Sequence, residues 1–178
     1  MTRVDELKDL IRRAFASAKR PQNGSLHGSE EGEEPRLLEA DFQDKQDWRS
    51  LDADFLDRAP DGYSSALSFF SDEALRYFLP AYLLADLDGE LERVDVADRL
   101  SHPFTDEARA ALVNPRRYGD LTRFAAAQQR FAGLTRDEVA ALVAYLEHKA
   151  ATDEFGGATI QQALANYWKP RLASASQG

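Results

Sequence analysis

Apolar residues in this chain recur mostly at intervals of three and four, and their alternation with polar residues is confined to short runs. That spacing matches the 3.6-residue helical period and not the two-residue period of a strand. Few of the apolar residues are β-branched; most are Leu, Ala and Phe. The chain is therefore restricted to helices. The clearest follows Thr135-Arg136-Asp137-Glu138, a capping box in which threonine and the glutamate three residues later satisfy each other's end of the first turn. Behind it Val139, Leu142, Val143 and Leu146 fall on one face.

A second helix is predicted over Thr2–Lys19, with Val4, Leu7, Ile11, Ala14, Phe15 and Ala18 on its apolar face and Pro21 as its stop. Residues 21–35 hold three glycines, two prolines and four glutamates around one large apolar residue, Leu26, and read as a flexible loop. Leu37–Phe42 reads as a short helix or extended piece. Asp44–Arg58 reads as a helix, closed by a turn at Pro60-Asp61-Gly62. The most apolar stretch, from Ser64 to Leu87, restarts at Ser71-Asp72-Glu73 and should centre the core; Pro80 within it either kinks the helix or opens a new one. Shorter helices are expected over Val94–Leu100, Asp106–Val113 and Asp120–Phe131. A last one spans Thr159–Trp168, stopped by Pro170, with residues 171–178 frayed. The fold class is all-α: a single-domain bundle of six to eight helices, covering residues 1–178, with a flexible acidic loop after the first.

At 178 residues the chain buries enough surface for a core that needs no staple. With no cysteine, thiolate catalysis, disulfides, Cys-ligated zinc and iron–sulfur clusters are excluded. The start of the chain lacks a signal-like apolar run, and the longest apolar stretch, Leu79 to Leu87, is interrupted and too short to span a bilayer. A cytoplasmic protein is expected. Charge is uneven: Glu30–Asp57 holds 11 acidic and 3 basic residues, nearly all of the chain's net charge of −9. An acidic surface repels phosphate backbones and favours a basic partner, so nucleic acid is not expected and a basic protein is.

The run Ala66–Asp88 carries Phe69, Phe70, Ser71, Glu73, Ala74 and Tyr77, then Leu79-Pro80-Ala81-Tyr82-Leu83. It resembles the central helix of a bacterial family of unknown function, and Trp48-Arg49-Ser50-Leu51 resembles the tryptophan that precedes it there. The resemblance implies a small soluble bacterial protein and carries no catalytic residue over.

His27, His102 and His148 have no metal-site spacing, and Asp86, Asp88 and Glu90 around Gly89 do not fit an EF-hand register. Asp54 with Asp57, and Asp44 with Asp47, can share helical faces, as acid–base or magnesium-binding pairs do, but read as a solvated face. Phosphate-binding glycine loops, a nucleophile elbow and cofactor signatures are missing, so no cofactor or metal is expected. The site candidates are Trp48, Asp52, Arg76, Tyr77 and Tyr82, gathered about the Pro80 break, where aromatic residues with a polar handle suit a pocket or interface. Two functions follow: a small acidic interaction module, adaptor or neutralising partner of a basic protein, or alternatively a small carboxylate-dependent hydrolase or metal-dependent enzyme.

Overall fold

The computed structural model describes residues 1–60 and 66–174, so the turn expected at Asp61-Gly62, the segment 64–65 and the tail 175–178 lie outside the described residues. The described chain is all-α. It contains nine α-helices when the last continuous run is counted once, against the six to eight expected, and no strand, only two isolated antiparallel bridges. It divides into two compact units, Met1–Asp95 and Val96–Gly178.

The first unit is built on α1 (Arg3–Ala14), α2 (Glu34–Phe42), α3 (Ala53–Arg58) and α4 (Asp72–Leu87). Thr2 and Asp5 form a capping box on α1, and Ser71 caps α4 by accepting from the Ala74 N–H at 3.2 Å, as the sequence suggests. Pro80 lies inside α4, which runs on through it; the buried faces of the helix hold the ring where a ladder bond is lost. α1 packs on α4, and Leu7, Ile11 and Ala14 of α1, with Phe15 just past its end, are buried. Phe42, Phe70 and Phe78 cluster with centroids about 5 Å apart, in the edge and stacked geometries that aromatic quadrupoles favour.

Three expectations are corrected here. Asp44–Arg58 is not one helix: a 3₁₀ turn spans Trp48–Ser50 and α3 starts afresh. Asp47 accepts from the Arg49 N–H at 3.0 Å and Asp52 from the Phe55 N–H at 2.8 Å, because aspartate competes for backbone donors and favours a cap over a helix interior. α1 ends at Ala14, short of Lys19. Leu26, expected in a loop outside the core, is 2% exposed. Its carbonyl accepts from Ser71 and the Gly28 N–H donates to Phe69 O at 2.8 Å. Glu39 Oε2 accepts from the Leu26 N–H at 2.8 Å. A Cβ at Gly28 would lie 3.1 Å from the Phe70 carbonyl, so glycine permits this close approach.

The second unit holds α5 (Val96–Ser101), α6 (Pro115–Tyr118), α7 (Arg123–Phe131), α8 (Arg136–Thr152), α9 (Gly157–Ala163) and α10 (Lys169–Ser174). The Thr135–Glu138 capping box is present, and Leu142 and Leu146 are fully buried. Phe104 stacks on Tyr167 at 3.9 Å and meets Phe124 and Trp168 edge-on. Asp106–Val113 is not a helix: after a 3₁₀ turn at Glu107–Arg109, Ala111–Val113 pairs with Leu121–Arg123 through two 2.8 Å backbone bonds. Pro115, unable to continue a helix, opens α6 instead. Nor does Pro170 end the chain's helicity. A π-helical turn, Leu164–Trp168, links α9 to α10 and precedes it. Pro170 lies two residues past the π-helical turn, inside a helical run that continues through it. That turn leaves Tyr167 and Trp168 both buried, with Trp168 Nε1 donating to Leu100 O at 2.9 Å.

Candidate functional site

In the first unit a cleft of about 300 Å³ opens beside Trp48. Its apolar floor comes from α4, through Ala81, Leu84 and Ala85, facing Leu51 and Ala53. Its rim carries both signs: Arg12 and Arg49 against Asp52, Asp88 and Glu90. Three of the rim groups have partners that place them. Asp52 caps α3. Asp88, at the C-terminal end of α4, pairs with Lys8. Arg49 pairs with Asp47 at 3.2 Å and lies 4.5 Å over the Trp48 ring, a cation–π arrangement. Trp48 is 2% exposed, and its Nε1 has no hydrogen-bond partner among the described residues.

The five candidates separate into three places. Trp48 and Asp52 share the cleft. Arg76 lines a different one with Lys19 and Glu73. Tyr77 and Tyr82 are core residues. The Tyr77 hydroxyl donates to Gln46 O at 2.7 Å, tying α4 to the segment that presents Trp48. Tyr82 is fully buried and its hydroxyl has no partner among the described residues. Burial, and then the charge of Asp57, push its pKa far above the ordinary tyrosine value.

Other chemistry-bearing residues are dispersed. His27 is 3.8 Å from Glu30 and 3.9 Å from Glu39. His102 is exposed in a 3₁₀ turn. Asp54 pairs with Arg58 at 2.7 Å. Among the described residues no group of three or more His, Asp or Glu is placed to hold a metal ion, and no helix is long and apolar enough to cross a membrane.

Two residues for which the sequence reading gave no structural role, Asp57 and Arg20, have defined work. Asp57 accepts from the backbone N–H groups of Glu92, Arg93 and Val94 at 2.6, 3.0 and 3.0 Å. Burial alone would raise its pKa, but these donors and Arg93 hold it below the ordinary aspartate value. Arg20 donates to the carbonyls of Phe42, Gln43 and Lys45 at 2.8 to 3.1 Å, closing off carbonyls that the end of α2 leaves open. Neither role has a local sequence signal, since the partners lie more than twenty residues away.

Residues 3–172 match a family of unknown function, DUF6714, and the chain belongs to that family. No curated protein matches it, and no solved structure does.

Proposed function

Since that family comes without an activity, we propose from the site itself that this chain is a cytoplasmic protein-interaction module. It takes a basic protein on the acidic face of its first unit, with the Trp48 cleft as the apolar anchor point. One observation carries the reading: the first unit holds 22 acidic and 12 basic residues, and seven of the eleven carboxylates between Glu30 and Asp57 stand exposed. The Glu30, Asp44 and Asp54 side chains are 78, 71 and 70% exposed. Such a field steers an oppositely charged partner and sets the salt dependence of its capture. An apolar cleft with a tryptophan wall and a charged rim is the usual anatomy of an anchoring pocket.

The alternative, a carboxylate-dependent hydrolase or metal-dependent enzyme, has no observation in its favour. Of the carboxylates that line the cleft, Asp52 is engaged in capping and Asp88 in pairing.

The test begins with capture of partners by the tagged protein from its native cells at low and high salt. A stoichiometric partner is then purified and its Kd measured. A basic protein whose affinity falls with salt, and falls roughly tenfold in the Glu33→Gln, Asp44→Asn, Asp54→Asn triple variant, supports the reading at about 0.5 kcal/mol per exposed charge. Affinity indifferent to both salt and the substitutions overturns it.

A further inference from the structure

A second cleft of the first unit, about 380 Å³, runs against the charge of its surroundings. It lies between the segment after α1 and the first turns of α4. Lys19, Arg20 and Arg76 line it with Ser17, Gln22 and a single carboxylate, Glu73. Three cations to one anion, in a unit where acids outnumber bases nearly two to one, make a local reversal of sign.

The cations are held differently. Arg20 is fixed: its guanidinium is sewn to the carbonyls of Phe42, Gln43 and Lys45, and it also reaches Pro21 O. Those carbonyls orient the group without neutralising its charge, so the positive potential at this wall does not fluctuate. Lys19 is exposed and has no carboxylate within ion-pair distance among the described residues. Arg76 projects from the second turn of α4 into the same space. Ser17 and Gln22 add neutral donors. A pocket of this volume is in the range that takes small molecules, and its donors suit oxygen atoms bearing negative charge.

We propose that this cleft binds a small, multiply charged oxyanion, a phosphorylated or polycarboxylate metabolite. Lys19 and Arg76 contact the anion, Arg20 supplies a fixed field, and Glu73 receives a hydroxyl or amino group carried by the same ligand. The site shares no lining residue with the Trp48 cleft and does not depend on the partner of the acidic face.

The experiment is calorimetric titration of the full chain at constant ionic strength, with pyrophosphate in one arm and citrate in the other. Saturable one-site binding in either arm is expected, and the tighter arm names the source of the oxyanion. Lys19→Gln and Arg76→Gln are each expected to weaken it roughly fivefold or more, about one surface ion pair's worth, with thermal midpoints in chloride unchanged. Arg20 is left alone because it also closes α2. Non-saturating heats in both arms up to about 10 mM, the millimolar limit of useful affinity, overturn the proposal. So does unaltered binding by the double variant. Should the variants fail to fold, amide shifts of the unaltered protein decide. Shifts that saturate and centre on residues 17–22 and 73–76 support the site; shifts spread elsewhere overturn it.

Discussion

Replacing Asp57 by alanine removes a carboxylate on which three consecutive backbone amides converge, those of Glu92, Arg93 and Val94. A hydrogen bond to a charged acceptor contributes about 1.5–3 kcal/mol. The three do not add in full. Glu92 and Arg93 are exposed, so water replaces much of what their amides lose. Val94 is 7% exposed, and its amide is left poorly solvated. One full charge-assisted bond, part of two others and a stranded amide give a loss of about 2–4 kcal/mol at pH 7. Asparagine does little better. If its oxygen serves Arg93 and Val94, its NH₂ group is set against the Glu92 N–H.

The assay is urea denaturation of the wild type and both variants from pH 7 to pH 3, with amide exchange of residues 92–94. The folded-state pKa of Asp57 lies below its unfolded value. Its charged contribution is therefore complete above the unfolded value, about 4, and is lost as the pH falls through the folded one. The gap between wild type and variant should be widest near neutrality and narrow in acid. A loss below about 0.5 kcal/mol at pH 7, the ordinary size of a surface change, or a gap that ignores pH, would refute the clasp.

Tyr82→Phe deletes a buried hydroxyl that has no partner among the described residues; it should be neutral or stabilising by up to about 1 kcal/mol, and a loss above that in chemical denaturation would reveal a partner. Leu142→Ala, at a fully buried position on α8, should cost about 2–5 kcal/mol, and a cost below half a kilocalorie would put the helix on the wrong face. Changing Glu30, Glu31, Glu33 and Glu34 to Gln should move stability by less than about 1 kcal/mol, as exposed charges do. The loop is held instead by Leu26, Gly28 and Glu39, so a large fall in thermal midpoint would show the four glutamates docked.

What could be read from the sequence was what is local. A capping box needs only four residues, so the starts of α1 and α8 are visible at Thr2 and Thr135. The periodicity of α8 needs only its own face. Failures came where a residue's partner is distant. Leu26 reads as a stray apolar residue in a glycine-rich loop until Ser71 donates to its carbonyl. Asp57 reads as one more solvated acid until the chain returns at Glu92. The break at Asp47 and Asp52 is an intermediate case. Both are good cap residues, but in a segment already rich in aspartate nothing marks which ones stop the helix. The site candidates divide along the same line. Asp52 and Trp48 come together because they lie four residues apart, whereas the separation of Arg76 from them is a property of α4 and of the segment after α1.

The same bonds bear on how the acidic face can work. Glu39, Asp47, Asp52 and Asp57 each accept from backbone N–H groups. A carboxylate held this way keeps its whole charge and loses its mobility. A basic partner would therefore meet an array of anions that are already ordered, and ordering costs about 0.5–1.5 kcal/mol for each flexible side chain immobilised on binding. The arrangement also dictates which substitutions are informative. Removing Asp52 or Asp57 would disturb a helix start or the 92–94 turn along with the field, so weaker binding would have two causes. Glu33, Asp44 and Asp54 contribute charge at exposed positions and no side-chain cap to a backbone donor. Their triple variant isolates the electrostatic contribution, which is why the interaction reading stands or falls with them.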